Sequence, residues 1–458
     1  MNNVLFVSSI ATHFKALLPI AKMLKEEAEF TPLFYIDTQI HTVSFEFKEC
    51  ISLGITCFVD GIDLQSQNIK DEPVYANKSD LTTNKIASKQ GLLVPFVSPL
   101  YKQFKQNISK VRKCKEFLKI HSIKVIICCE DVHYISPYFV KGAKEYKLPT
   151  VVFPFSLSNQ QEMAQRCYNN TNNHLVSFSQ KLISIVFPAT KYRYRNQDII
   201  CSNNYYSILS KKLLGLFPSD PWIYNGGDAD YILIESDFAK DYYTNAGIDS
   251  AKFVEIGSPV FDTLSKHRSN LTDKKNSLVN TTFREPSLPL ILCSLPPDLV
   301  NTTVFNSYKE MLSFWAEILH RGNTCNVLVS LHPRTSYDQV SFIESERIVI
   351  AQKDSIETLL PHCDIFVACI SATIRWALAC QKPVLNFDMF GLNYSDYTEL
   401  SEVKTVFDAE SFKNAYNEMV LEVMSGDETG KCIESNNYFG FIDGEFKNRL
   451  HQFIRKVL

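Results

Sequence analysis

The chain of 458 residues is longer than one ordinary hydrophobic core supports and suits two domains of about 200 residues each. Hydrophobic residues make up 45 % and charged residues 21 %, the balance of a folded soluble protein. A net charge of −3 argues against nucleic-acid binding as the main task, because a phosphate backbone calls for a basic face. The thirteen cysteines form no Cys-x-x-Cys pair and no Cys/His cluster, so they read as buried free thiols of a reducing compartment rather than a metal site. Met1 to Val7 lacks a basic leader and a cleavage site and reads as a first strand. No apolar run approaches the ~18 residues that span a bilayer. The expected location is cytoplasmic.

In chain order, short β-branched runs alternate with longer amphipathic stretches. Strands are expected at Val4–Ser8, Pro32–Ile36, Thr56–Val59, Val125–Cys129, Thr150–Phe153, Tyr231–Glu235 and Phe253–Ile256, then at Leu290–Cys293, Val327–Leu331, Ile348–Ala351, Ile365–Ala368 and Val384–Asn386. Their nearly continuous apolar character fits parallel sheets covered on both faces, so the fold class is α/β. Two stretches break the alternation. Residues 265–287 are polar and strand-free and read as an interdomain linker between domains at 1–264 and 288–435. Residues 155–228 read as a helical insertion without clear strands, carrying seven Lys and Arg against four Asp and Glu. The remaining 436–458 reads as a C-terminal helix packing back on the first domain.

Two segments resemble the GT-B glycosyltransferase superfamily, in the branch that contains the UDP-N-acetylglucosamine 2-epimerases. One is Asp230 to Ser236 with Gly247-Ile248, Phe253 to Pro259 and Phe261 to Leu264, similar to the last strand–helix–strand unit of that family's N-terminal domain. The other runs from Asp354 to Asp388, with Ser371-Ala372-Thr373 at a turn before a helix and Gln381 to Asn386 like the family's Lys-Pro-Val strand. Ser8 to His13 resembles the first strand–helix loop of many GT-B enzymes. The resemblance implies two Rossmann-like domains facing a cleft, a nucleotide-sugar donor on the C-terminal domain, and no metal or cofactor.

Candidate residues follow from strand ends, where α/β ligands bind. Ser371, Ala372 and Thr373 offer hydroxyls and helix-start amides to a phosphate, with helix capping as the alternative. His332, Pro333 and Arg334 follow an apolar strand and suit base, ribose or phosphate contacts, and Ser258 lies at the hinge. Sugar transfer also needs a carboxylate or a histidine near the anomeric carbon, and the first domain offers Glu130, Asp131, Glu162 and His13. Asp228-Ala229-Asp230 matches a metal-binding spacing but directly precedes a strand and reads as a turn. Lys191, Arg193 and Arg195 alternate with Tyr192 and Tyr194. In a strand that spacing puts the cations on one face, which suits an anionic or lipid-linked glycan acceptor and a peripheral contact with the membrane surface.

The chain departs from the epimerases in two places. Leu295-Pro296-Pro297-Asp298 stands where they carry a basic His-Arg-Arg run, and Arg375-Trp376-Ala377 stands where their carboxylates hold the uridine ribose. These departures favour a glycosyltransferase over a 2-epimerase or a non-catalytic sugar-nucleotide-binding module. With the His332-Pro333 pair they point toward a CMP-activated acidic sugar of the Kdo or sialic-acid type.

Overall fold

Every strand read from the sequence is present in the computed structural model, which describes residues 1–37, 45–63, 94–268, 271–296, 298, 305–320, 324–332, 335–369, 371–391, 397, 400–426 and 438–458. They fall into two units. The first holds Met1–Ile234, Ala239–Ile256 and Lys447–Leu458, and the second holds Glu235–Phe238 and Gly257–Phe446.

In the first unit the strands are β1 (Asn2–Ser8), β2 (Phe30–Ile36), β3 (Thr56–Val59), β4 (Ile62–Asp63), β5 (Ile123–Cys128), β6 (Thr150–Val152), β7 (Lys191–Tyr194), β8 (Gln197–Ile200), β9 (Tyr231–Ile234) and β10 (Phe253–Glu255). Helices α1 (Ala11–Lys25), α2 (Phe45–Ser52), α3 (Val94–Ile120), α4 (Ser136–Tyr146), α5 (Gln160–Tyr168), α6 (Phe178–Val186), α7 (Tyr205–Leu213) and α8 (Asp237–Asn245) alternate with them. The main sheet has the order β10-β9-β6-β5-β1-β2-β3-β4 and is parallel except for the β3–β4 pair. Its central strands β1 and β5 pair directly. Val4 to Val7 and Val125 to Ile127 are wholly buried, which is why these strands show no polar alternation.

The second unit contains α9 (Pro259–Arg268), α10 (Leu271–Thr282), β11 (Leu290–Ser294), α11 (Tyr308–His320), β12 (Asn326–Ser330), α12 (Tyr337–Val340), β13 (Ile348–Ala351), α13 (Ile356–Leu359), β14 (Ile365–Ala368), α14 (Ile374–Ala379), β15 (Val384–Phe387), β16 (Val403–Val406) and α15 (Ala409–Ser425). Its sheet is fully parallel with the order β13-β12-β11-β14-β15-β16. Trp315, Phe387, Phe412 and Tyr416 form the aromatic heart of its core. The chain closes with α16 (Phe446–Val457), which returns to the first unit. There Arg449 donates to the Ile256 carbonyl at 2.9 Å, a ring nitrogen of His451 lies 3.1 Å from the Met23 carbonyl, and Lys447 pairs with Glu26.

Three expectations need correction. Residues 265–287 do not stand between the units as a linker: they hold the end of α9 and all of α10, and they belong to the second unit. Their polar composition is that of helices with one wet face, whose Val279 and Phe283 are buried. The 155–228 insertion does contain strands. Its antiparallel hairpin β7–β8 turns at Arg195 and Asn196, both in the left-handed region with φ of 46° and 62°, without the glycine that marks most such turns. The C-terminal helix expected over 436–458 begins at Phe446. Before it, Gly440 packs so close to Phe261 that a Cβ would lie 2.3 Å from the ring. The described cysteines are free, and all but Cys201 are buried. No helix among the described residues is long and apolar enough to cross a membrane.

Candidate functional site

Each sheet reverses its strand order once. In the first unit β1 leads to β2 on one side, and β5 then adds on the other. In the second, β11 leads to β12 and β13, and β14 adds on the opposite side. At such a point the two following loops diverge, opening a crevice beyond the carboxyl ends of the strands. The candidate residues concentrate at these two places.

In the first unit the crevice lies between the loop after β1, with the first turn of α1, and the loop after β5. Ser9 and His13 come from the former and are buried, with Ser9 Oγ and His13 Nδ1 lacking hydrogen-bond partners. Burial lowers the His13 pKa to about 4, so the ring is neutral at pH 7. It lies 5.0 Å from the Phe155 ring and 6.1 Å from Tyr134. From the loop after β5, Glu130 accepts the Val132 and His133 amides on Oε2 at 2.9 and 2.5 Å. Its Oε1 is buried without a well-formed hydrogen bond. Burial pushes the Glu130 pKa up to about 8, against the opposing pull of the His133 amide. Burial likewise lowers His133 to about 4, helped by the nearby cations Lys211 and Arg166. Tyr134 adopts φ of 53°, an unusual backbone state for an aromatic residue.

Around this crevice stand residues that carried no mark in the sequence. Tyr224 lies 5.4 Å from His133 and 5.9 Å from Phe155, and Arg166 of α5 donates to the Tyr224 hydroxyl at 3.2 Å. Lys211 of α7 has its pKa lowered, chiefly by burial and then by Lys110, with Glu130 opposing. Phe155 and Tyr134 were findable as strand-end residues. Tyr224 and Arg166 reach the crevice from the insertion, and only tertiary structure brings them there. These desolvated ionisable groups gathered at a strand-order reversal make the first unit's candidate site, since such groups titrate near neutral pH or stay neutral through it.

The other first-unit candidates separate. Asp131 neighbours Glu130 but is fully committed: Oδ1 accepts Gly227 N–H at 2.9 Å and Oδ2 accepts Ala229 N–H at 2.8 Å. A Cβ on Gly227 would lie 2.5 Å from the Asp131 carboxyl carbon, so the turn requires glycine at this close approach. Glu162 lies in the first turn of α5, its amide capped by Asn159 at 3.0 Å, one turn from Arg166. Asp230 accepts the Thr150 amide and hydroxyl at 2.9 and 2.6 Å at the start of β9, the opposite end of the sheet from the crevice. Lys191 and Arg193 lie exposed on one face of β7, with Tyr192 and Tyr194 partly buried on the other. Lys191 pairs with Asp198 at 2.8 Å, and Arg195 sits in the turn, its guanidinium 5.4 Å from the Tyr194 ring.

In the second unit the crevice lies between the loops after β11 and β14. Ser371 and Thr373 are half-buried there, and their hydroxyls bond each other at 2.7 Å. Thr373 makes no side-chain cap bond to α14, whereas Ser371 Oγ accepts the Thr373 amide at 3.3 Å just ahead of the helix. Ala372 is exposed between them. The helix is six residues long. His332, half-buried after β12, accepts the Thr335 amide on its carbonyl at 2.8 Å. Tyr308 of α11 ties the β11 and β12 loops together, donating to the Pro296 carbonyl at 3.0 Å beside Thr335 Oγ1 at 3.3 Å. Pro333 and Arg334 lie outside the described residues. Ser258 directly precedes α9, its carbonyl accepting the Phe261 amide at 3.0 Å. Arg375, noted in the sequence as a departure, is buried on α14 and donates Nε to Glu235 at 2.7 Å.

No protein-family profile matches the chain, and no curated protein sequence does. Solved structures match over its whole length. The glycotransferase of kitacinnamycin is 10 % identical with a TM-score of 0.53, covering 100 % of both chains. A glycosyltransferase from Rickettsia africae ESF-5 is 13 % identical with a TM-score of 0.51, covering 100 % of this chain and 98 % of the other. A Listeria monocytogenes protein assigned as a UDP-N-acetylglucosamine 2-epimerase is 12 % identical with a TM-score of 0.52, covering 99 % and 96 %. At such identities the likeness is one of fold: the chain has the GT-B fold, two Rossmann-like domains of the kind found in glycosyltransferases and UDP-N-acetylglucosamine 2-epimerases.

Proposed function

We propose that the chain is a glycosyltransferase that moves a sugar from a nucleotide-activated donor to a glycan acceptor. The second unit's crevice takes the donor, with Ser371 and Thr373 reaching its phosphates and His332 its nucleoside. The first unit's crevice does the proton chemistry. The observation that carries this reading is the split between two strand-order reversals: hydroxyls at one, and buried histidines with a carboxyl of raised pKa at the other. Glu130 at about 8 titrates near working pH and suits a general acid or base, while neutral His13 keeps a ring nitrogen unengaged. Asp131 serves by holding the turn at Gly227–Ala229 rather than by touching substrate.

The finer donor reading is a CMP-activated acidic sugar. Arg375 occupies the position where a ribose-holding carboxylate would stand, and it is held by Glu235. For the acceptor, Lys191, Arg193 and Arg195 suit an anionic or lipid-linked glycan. The deciding experiment incubates the chain with UDP-N-acetylglucosamine alone, and with CMP-, UDP- and GDP-sugars in the presence of glycan acceptors. A transferase releases nucleotide only when acceptor is present. Because Asp230 is engaged by Thr150, the release should continue in EDTA. Conversion of UDP-N-acetylglucosamine to its 2-epimer without acceptor would replace the proposal with an epimerase.

A further inference from the structure

Helix α6 presents an apolar stripe to solvent. Phe178 and Ile185 are 82 % and 73 % exposed, and Leu182 and Val186 are also more exposed than not or nearly so at 50 % and 56 %. At about 100° per residue, positions 178, 182, 185 and 186 fall within an arc of roughly 100° on one side of the helix. The opposite side is accounted for: Ile183 is buried in a small core with Ile200 and Ile208. The helix is also well built. Ser177 and Gln180 form a reciprocal capping box, so the stripe is a formed surface rather than a frayed end. Val176 before the helix and Leu213 at the end of α7, which packs on α6, are also exposed, at 74 % and 70 %.

The surroundings are cationic. Between residues 167 and 219 the chain carries six Lys and Arg and one acid, Asp198. Lys181 is exposed on α6 itself, flanking the stripe. Lys212 lies 5.7 Å over the Phe187 ring at the helix end and 4.4 Å over Phe217. The hairpin register places Lys191 and Arg193 on the same face as Ile200, the face that packs toward α6. Asp198 shares that face and neutralises Lys191, leaving Arg193.

We infer that α6 is an interfacial anchor, laying Phe178, Leu182, Ile185 and Val186 into the boundary of an anionic lipid leaflet while Lys181 at the edge of the stripe meets its headgroups. An amphipathic helix with apolar side chains on one arc and cations at its edge has the chemistry of such a surface. A second copy of the chain fits less well, since a two-fold contact would set the Lys181 rims against one another. The inference does not depend on the transferase reading, because binding is measured without turnover. It would bring the basic hairpin beside a lipid-linked acceptor.

The test is cosedimentation with vesicles of equal parts phosphatidylglycerol and phosphatidylcholine, and with phosphatidylcholine alone. The wild-type chain should bind the anionic vesicles, more weakly as salt rises. Phe178→Ser with Ile185→Ser, which leaves Ile183 and its core intact, should lower binding at least about tenfold on the area removed. Lys181→Glu should lower it by about fivefold or more on the anionic vesicles. Thermal melts of both variants check that the fold is retained. Absence of wild-type binding to either vesicle, or binding that survives the Phe178→Ser, Ile185→Ser change, overturns the inference. So does sedimentation velocity showing a dimer that the same double variant dissolves, which would give the stripe to a second copy.

Discussion

The two strand-order reversals have the same geometry and opposite chemistry. At the β1/β5 reversal the loops bury His13, Glu130 and His133 among aromatic rings, and each is driven toward its neutral form. At the β11/β14 reversal the loops offer two hydroxyls bonded to each other, and the buried Arg375 of the adjoining helix is ion-paired with Glu235, which follows β9. The first is costly to build, because each ionisable group gives up hydration without a charged partner. The second is cheap and polar, fit to receive charge that a ligand brings. The comparison teaches that a parallel sheet supplies the crevice, while its use is set by which side chains the loops desolvate.

The largest expected effect breaks the support of the first crevice. Asp131→Ala leaves the Gly227 and Ala229 amides without acceptors and should cost about 2–6 kcal/mol in urea unfolding, at about 1–3 kcal/mol per stranded buried group. Gly227→Ala should be comparably harmful, because its Cβ would overlap the Asp131 carboxyl. The matching change in the second crevice, Ser371→Ala, should alter stability little, since its hydroxyl serves mainly the neighbouring Thr373. Equal losses at both sites would erase the contrast.

A smaller effect appears in the pH dependence of stability. The folded pKa values of His13 and His133, about 4, lie below the ordinary histidine value of 6.5. The unfolded chain therefore binds more protons, and stability falls as pH drops from about 6.5 toward 4. Glu130 works the other way: its folded pKa of about 8 exceeds the ordinary 4.5, so its contribution is fully present below pH 4.5 and is lost as pH rises toward 8. Glu130→Gln should flatten the alkaline side of the profile, and His13→Gln the acid side. A profile unchanged by Glu130→Gln would mean that the carboxyl is ionised in the folded chain, removing it as a group that titrates near neutrality.

Much of this was legible in the sequence, for physical reasons. Doubly covered strands such as Val125–Cys128 must be apolar throughout, so runs of that kind announce parallel sheets. Strand-end residues such as His13, Glu130 and Ser371 were findable because position along a strand is written in the same runs. The hairpin at Lys191–Ile200 was not: four-residue strands turning on Arg195-Asn196 carry neither a long apolar run nor a glycine. Helix α10 was hidden by a wet face that reads as loop composition. The partnership of Asp131 with Gly227 and Ala229 spans almost a hundred positions, and no local pattern encodes it. It makes one of two adjacent candidate carboxylates a brace.

The smallest change in structure carries the most direct test. Thermal melts of the wild-type chain are compared with those of the Ser371→Ala, Thr373→Ala variant, each with excess UDP, GDP, CMP or CDP. Ligand at about one hundred times its Kd stabilises by about 2.7 kcal/mol, a shift of several degrees. At least one nucleotide should raise the wild-type Tm, and the double variant should need about tenfold or more higher concentration for the same shift, the loss of two hydrogen bonds to charged oxygens. Four nucleotides that leave the wild-type Tm unmoved, or a shift that the double variant fully retains, would contradict donor binding at the β11/β14 reversal.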